Sequence, residues 1–280
     1  MDPLNPYAAP QGSELKSDER GPIASPEFLF APILSLGLTL YFSNFAAVAF
    51  VTVAVWLPLE IIRFFMEYYV FEWYELHRFW AFYDLAENLA GLMATGGVVA
   101  IGGASMRGER VWGWMCLQKG LRAWPRMLWT QIVYGMAVLL ALLAFVFPAV
   151  FVGVRLLFAD AVTVLEGTSG GESLKRSFQL TAGNFWRLFA LFLVTLGAIF
   201  LGFFFTESIS EQTAYYVPPY VQASIAAALN ILGQLLAPVQ TLVLVAAYFA
   251  GKRRLTEQPG FDLSQPDPVI AAARDAEDFR

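Results

Sequence analysis

The sequence predicts an all-α integral membrane protein with six transmembrane helices and, on the cytoplasmic side, amphipathic helices that lie at the membrane interface. Hydrophobic residues make up 58% of the 280-residue chain and charged residues only 15%. A water-soluble domain has about 25% charged residues, because they cover its surface. The apolar residues also form six long segments, and a helix of about 20 residues crosses the hydrocarbon core of a bilayer. Composition and segment length therefore indicate the same fold class.

The two ends of the chain differ from the region between them. Residues 1–27 contain five prolines among charged residues, and proline fixes φ and removes a hydrogen-bond donor, which prevents a helix. Residues 255–280 carry an excess of acidic residues. We therefore expect a disordered, acidic, proline-rich N-terminal tail (1–27), a six-helix membrane domain (28–254) and an acidic, mostly disordered C-terminal tail (255–280).

Six spans follow one another along the membrane domain. They are expected near residues 44–66, 85–105, 127–147, 149–166, 185–206 and 221–250. The third and fourth come from one apolar run, 127–166, which Pro148 divides. Because this run is nearly twice the length of one span, we favour a hairpin of two spans. One kinked span followed by a re-entrant segment remains the alternative.

Basic residues between the spans predict the topology. Loops 106–126 and 167–187 and residues 252–254 carry an excess of Lys and Arg, whereas segments 67–84 and 207–219 are acidic. Cytoplasmic loops carry the excess of basic residues in membrane proteins. All three basic clusters fall on one side only if there are six spans. We therefore expect a multi-pass protein of the bacterial inner (cytoplasmic) membrane, with both termini in the cytoplasm.

Three short segments, 34–38, 117–121 and 174–178, share a pattern. Each has Leu four residues before Leu or Phe, with a small residue just before the latter, and each precedes a span. Positions i and i+4 share a helix face, so the pattern predicts three interfacial helices, each followed by a small break, as an internal repeat. Chance similarity in leucine-rich sequence is the alternative. The candidate headgroup contacts on this side are Lys119, Arg122, Lys175, Arg176 and Arg187.

The second and sixth spans contain residues that affect helix packing. Gly96, Ala100 and Ala104 are four residues apart, and such a face of small side chains lets a neighbouring helix approach closely. Pro238 is expected to kink the sixth span.

Five polar residues in or next to the spans form a candidate intramembrane polar site: Arg155, Asp160, Glu166, Asn230 and Gln234. Such residues usually face the interior of a bundle. Arg155 and Asp160 differ in direction by about 140°, so we do not expect them to pair with each other. Glu166 is expected to bind Lys175, Arg176 or a headgroup-linked cation, with a structural ion pair favoured. For Arg155 and Asp160, a polar pathway or headgroup site is the alternative to a structural hydrogen bond between helices or to snorkelling. Asn230 and Gln234 are expected to form hydrogen bonds across helices.

Two stretches resemble a known family. Residues 155–167 form an Arg-containing helix that ends in Glu-Gly, and residues 173–187 read Ser-Leu-Lys-Arg-Ser-Phe-Gln-Leu-Thr-Ala-Gly-Asn-Phe-Trp-Arg. Together with Gly-Phe-Asp-Leu at 260–263, they resemble the glycerophosphoryl diester phosphodiesterase membrane domain and related uncharacterised inner-membrane proteins of bacteria. One departure is Ala250-Gly251, where that family often has aspartate.

The resemblance implies a six-helix inner-membrane fold, and it does not imply phosphodiesterase activity. Members with that activity carry it in a separate soluble domain, whose active site needs carboxylates, a metal and a catalytic histidine. Here the only histidine is His77.

The expected function is that of a non-enzymatic inner-membrane protein in envelope maintenance or lipid handling. We predict no catalytic residues, no cofactor and no metal site, and a formal charge of −5 gives no basic surface for nucleic acid. The expected partners are membrane lipids, with a homo-oligomer or a membrane-protein partner left open. The alternatives are a small transporter or channel that uses the polar residues of spans four and six, and a membrane enzyme that acts on lipid.

Overall fold

A computed structural model describes residues 29–66, 76–214, 217 and 219–256, and these residues form helices and short turns, without a strand. In chain order the helices are α1 (Phe30–Ser43), α2 (Phe45–Phe65), α3 (Leu76–Met106), α4 (Gly113–Ala144), α5 (Val146–Arg155), α6 (Ala159–Leu165), α7 (Gly171–Leu180), α8 (Phe185–Ala214), α9 (Pro219–Gln234) and α10 (Ala237–Thr256). Both predicted disordered tails lie essentially outside the described residues.

Within the described ranges, six helical stretches are long and apolar enough to cross a membrane. They are Phe45–Phe65, Ala81–Met106, Gly113–Ala144, Val146–Leu165, Phe185–Thr206 and Ser224–Leu255. The prediction of an all-α fold with six helices long and apolar enough to span a membrane is therefore confirmed for the described residues, and each stretch overlaps the span expected from the sequence.

The third and fourth spans form a hairpin, as the length of the apolar run indicated. The hydroxyl of Thr130 on α4 lies 3.2 Å from the hydroxyl of Thr163 on α6. The next residue on α4, Gln131, donates a hydrogen bond to Asp160, which precedes Thr163 on α6. The two spans therefore run in opposite directions. The prediction that Pro148 divides the two spans was wrong. The break falls at Phe145, whose backbone is extended, and Pro148 lies in the first turn of α5, where a missing N–H leaves no helical hydrogen bond unmade.

The fourth span is itself interrupted between α5 and α6, and α7 satisfies the backbone groups that this break exposes. The carbonyl of Arg155 accepts hydrogen bonds from the hydroxyls of Ser177 (2.9 Å) and Thr181 (3.2 Å). The N–H of Phe158 donates to Ser177 Oγ at 3.2 Å. Unpaired backbone groups are costly inside a membrane protein. The hydroxyls of Ser177 on α7 and of Thr181 just after it therefore satisfy backbone groups at this break.

Helix α3 packs against α2, α4, α6 and α10 in the bundle. Ala100 and Ala104 are 3% exposed, and a Cβ added at Gly96 would lie 2.9 Å from the sulfur of Met127 and 3.0 Å from Cα of Gly120. The small residues of the second span thus permit the close approach of α4, which confirms the packing interpretation.

The three segments of the expected repeat differ in their breaks. Helices α1 and α7 each end before the next span, but the second segment lies inside α4, which continues to Ala144. The break expected there was wrong. The small residue is buried in all three segments: Gly37 lies against Val243 on α10, Gly120 against α3, and Ser177 against α5. The repeat itself stays a prediction.

The sixth span is interrupted just before Pro238, which confirms the expected kink. Helix α9 ends at Gln234 and α10 begins at Ala237. The carbonyl of Leu235, freed by the break, accepts a hydrogen bond from the Tyr41 hydroxyl at 2.8 Å. Burial raises the pKa of Tyr41, so this phenol keeps the proton that it donates.

Candidate functional site

A cavity of about 470 Å³ lies within the bundle, between α2, α3, α4, α6 and the α9–α10 break. Its polar lining consists of Thr52, Glu87, Asn88, Thr95, Gln131, Asp160, Gln234 and Thr241, and we call it the polar cavity. Its lining along α3 runs from Glu87 to Val98, which at 1.5 Å per residue is about 16 Å. Among the described residues, the two ionisable groups in its wall, Glu87 and Asp160, are both carboxylates.

Arg155 and Asp160 face different surroundings, as their spacing predicted. The carboxylate of Asp160 accepts a hydrogen bond from Gln131 Nε2 at 2.7 Å. The guanidinium of Arg155 lies 5.3 Å from the ring centre of Phe151 and 5.7 Å from that of Phe178. Two polar residues that are close in sequence thus belong to two different pockets.

Arg155 lines a second pocket, of about 780 Å³, before the start of α8. Its lining residues are Leu29, Arg155, Gly183, Asn184, Phe185, Trp186, Arg187 and Arg254, and we call it the arginine pocket. It contains three guanidinium groups and no carboxylate among the described residues. The Nε of Arg155 and the Nδ2 of Asn184 are buried, and neither has a hydrogen-bond partner in the described part of the chain.

The turn between α7 and α8 shapes the arginine pocket. Gly183 has φ +75°, a backbone conformation that residues other than glycine rarely adopt. Arg254 Nη1 donates to the carbonyl of Ala182 at 3.1 Å, and a Cβ on Gly183 would lie 3.2 Å from the guanidinium. The positive φ therefore favours glycine at this turn, and a Cβ there would require the guanidinium of Arg254 to shift by a few tenths of an ångström.

A third pocket, of about 280 Å³, is lined by four basic residues: Arg107, Lys119, Arg122 and Arg126. Arg107 pairs with Glu109, and this hydrogen bond lowers the pKa of the Glu109 carboxyl. Arg126 Nη1 donates to the carbonyl of Gly167 at 2.7 Å. The predicted headgroup residues Lys119 and Arg122 are exposed on this third pocket, whereas Arg187 lines the arginine pocket.

Glu166 forms a structural connection between three helices. Its carboxylate accepts from Arg176 Nε at 3.3 Å, from the Tyr248 hydroxyl at 2.7 Å and from Lys252 Nζ at 3.4 Å. The favoured expectation of an ion pair is therefore confirmed for Arg176, while Lys175 is exposed and lies outside this network. Sequence reasoning missed Tyr248 and Lys252.

Asn230 and Gln234 have separate roles. The amide of Asn230 donates to Glu60, which is 4% exposed on α2 and also accepts from the Tyr83 hydroxyl at 3.4 Å. Gln234 lines the polar cavity. Sequence reasoning missed both Glu60 and Glu87, although an acidic residue within an apolar span was itself a usable signal.

The five predicted polar residues thus do not form one site. Asp160 and Gln234 line the polar cavity, Arg155 lines the arginine pocket, and Glu166 and Asn230 belong to hydrogen-bonded connections between helices. Among the described residues, no group of three or more His, Cys, Asp or Glu side chains is arranged to hold a metal ion. The side chain of His77 lies outside the described part.

Comparisons with known proteins give one match. A family model described as a domain of unknown function, DUF7847, matches residues 77–251. No curated protein and no solved structure matches the chain. The match covers more than half of the chain and includes the segments 155–167 and 173–187, whose residues build much of the arginine pocket. The chain therefore belongs to the DUF7847 family.

Proposed function

We propose that this chain is a non-enzymatic membrane protein that handles lipids by binding the phosphate of anionic headgroups in the arginine pocket. One observation carries the proposal. Two buried donors that have no hydrogen-bond partner among the described residues, Arg155 Nε and Asn184 Nδ2, line a pocket that also contains Arg187 and Arg254.

A phosphate group matches this donor set chemically. A buried N–H without a partner costs about 1–3 kcal/mol, which a ligand acceptor recovers. Phosphate presents several acceptor oxygens, and guanidinium groups bind it through paired, charge-assisted hydrogen bonds. The pocket also lies at the N-terminus of the long helix α8, where the helix dipole favours an anion.

The rim of the pocket favours a lipid over free phosphate. Trp186 and Leu29 line the arginine pocket and are also exposed at the surface, by 70% and 44%. Tryptophan rings settle at the depth of the headgroups in a bilayer. A ligand with a charged head and an apolar tail would contact both kinds of surface.

The orientation follows from the same basic residues. Lys119, Arg122 and the arginine pocket lie near the ends of the spans that connect to the basic loops. We propose that this is the cytoplasmic side of a bacterial inner membrane, that both termini lie there, and that α1 and α7 contact that leaflet. A reporter fused to the C-terminus and active only in the cytoplasm tests this orientation. Activity of a periplasmic reporter at that position would refute it.

Native mass spectrometry of the full chain from nanodiscs tests lipid binding. The nanodiscs contain phosphatidylglycerol and phosphatidylcholine in equal amounts, with inorganic phosphate present or absent. We expect retention of phosphatidylglycerol over phosphatidylcholine, and we expect R155Q and R187Q each to lower retention about fivefold, since a basic residue near an anionic surface contributes about 1 kcal/mol. The same spectra report the oligomeric state.

Lys175→Gln is the matched control. It removes one positive charge from the same side of the protein, but Lys175 is exposed on α7 and lies outside the arginine pocket. An equal loss of lipid in K175Q and R187Q would indicate diffuse attraction to the leaflet and would refute the pocket. Displacement of the lipid by millimolar phosphate would indicate a soluble anion as the ligand.

A further inference from the structure

We infer that the polar cavity binds a small organic cation that carries an ammonium group, with Asp160 as its counter-ion. This cavity and the arginine pocket have no lining residue in common, and their charges have opposite sign. The inference therefore stands independently of lipid binding.

The hydrogen bonds of Asp160 are incomplete. A carboxylate has about four acceptor positions, and Asp160 accepts one bond, from Gln131. No basic side chain in the described ranges forms an ion pair with it, since Arg155 is directed toward Phe151 and Phe178. A carboxylate in the interior of a bundle is strongly disfavoured without a positive partner. A cationic ligand in the cavity would supply that partner.

Thr52 provides a second, independent indication of a ligand. Threonines within spans commonly donate to the carbonyl four residues earlier, as Thr130, Thr163 and Thr195 do here at 2.8–2.9 Å. Thr52 is 1% exposed, and its hydroxyl has no hydrogen-bond partner in the described part of the chain. Because Thr52 lines the polar cavity, its oxygen is free to accept an ammonium hydrogen.

The size and lining of the cavity favour an organic cation over a bare metal ion. Its volume is about 470 Å³, within the range of about 300–1,000 Å³ that is usual for small-molecule pockets. Trp56, one helical turn from Thr52, also lines it, and an indole ring attracts organic cations through its face. Apolar residues such as Leu92 and Val98 complete the wall.

Glu87 is placed to attract cations to the cavity. It is partly buried and lies six residues into the second span, near the end opposite the basic loops. A carboxylate in the wall of a cavity raises the local concentration of cations.

Equilibrium binding to the full chain in nanodiscs of neutral lipid tests the inference. The probes are four radiolabelled cations: methylammonium, ethanolammonium, choline and putrescine. We expect saturable binding of at least one of them, weakened about tenfold or more by Asp160→Asn and by a smaller factor by Thr52→Val, since both variants remove ligand acceptors. Asp84→Asn is the control, because Asp84 is an exposed carboxylate on the same helix as Glu87 and does not line the cavity.

The outcomes separate clearly. Binding that D84N retains and that D160N and T52V both weaken supports the site. Absence of saturable binding for all four cations overturns it, and so does equal affinity in the wild type and D160N. Competition by sodium at the same concentration as the probe would assign the cavity to an inorganic ion and would also overturn the organic class. If D160N fails to fold, T52V compared with D84N decides the question.

Discussion

Gly120→Ala gives the most specific stability prediction, because Gly120 lies in the close contact between α3 and α4. A Cβ at Gly120 would lie 2.5 Å from the backbone nitrogen of Gly97 and 2.6 Å from the carbonyl oxygen of Met93. An ordinary contact is 3.4–4 Å, so the helices must separate by about 1 Å, because backbone atoms cannot rotate away. Overpacking of this kind costs about 1–3 kcal/mol. At about 2–4 °C per kcal/mol for a domain of this size, the melting temperature should fall by about 2–12 °C.

Gly135→Ala is the matched control on the same helix, because nothing lies within 4 Å of a Cβ there. A thiol-reactive fluorescent dye can follow thermal unfolding in detergent, since Cys116 is the only cysteine in the sequence and is 3% exposed. Cys116 is one turn from Gly120, so tryptophan fluorescence should follow the same melt as an independent signal. Equal melting temperatures for G120A and G135A by both signals would refute the close approach of α3 and α4.

Three further predictions concern single side chains. Gly183→Ala places a Cβ at φ +75°, so it should lower stability by about 1–2 kcal/mol and weaken phosphatidylglycerol retention. Unchanged phosphatidylglycerol retention in Gly183→Ala would show that the conformation of this turn does not affect lipid binding in the arginine pocket. Asn230→Leu leaves the buried carboxylate of Glu60 without its amide donor and should cost about 1–3 kcal/mol, with partial rescue by Glu60→Gln in the double variant. If the losses of stability in the two single variants simply add in the double variant, the hydrogen bond between Asn230 and Glu60 is excluded. The pKa of Glu109 is lowered in the folded protein, so its stabilisation is present above its ordinary pKa and is lost as the pH falls through the lowered value. Both Glu109 and Arg107 are more than 40% exposed, so melts between about pH 6 and pH 3 should differ between wild type and Glu109→Gln by less than about 1 kcal/mol. A larger difference would contradict the exposed pair.

The number and positions of the spans could be predicted because hydropathy and the distribution of charge depend on sequence alone. The hairpin followed from the length of the run 127–166. The position of its break did not, because Phe145 carries no local signal and Pro148 is compatible with the first turn of a helix. The break between α5 and α6 was also missed, because it depends on hydroxyls of α7 that are distant in sequence.

The candidate polar residues were mostly identified, but their grouping was not. Sequence reasoning treated Arg155, Asp160 and Asn230 as one candidate site, whereas they belong to two pockets and a connection between helices. Grouping depends on which helices are neighbours, and periodicity within one helix does not contain that information. Glu60 was missed although an acidic residue in a largely apolar span is a usable signal, whereas Asn184 lies just before a helix, where Asn commonly serves as a cap and indicates no ligand.

The number of hydrogen bonds that each intramembrane polar group makes determines how its substitution should be interpreted. Glu166 has three partners on α7 and α10, so its loss would leave Arg176 and Lys252 without their carboxylate and would loosen the fold itself. Asp160 has one neutral partner, and neutralising it removes an uncompensated charge, which costs the fold nothing and can stabilise it. A loss of binding in a Glu166 variant would therefore say little about a ligand. The same loss in an Asp160 variant that melts at or above the wild-type temperature would be direct evidence for one.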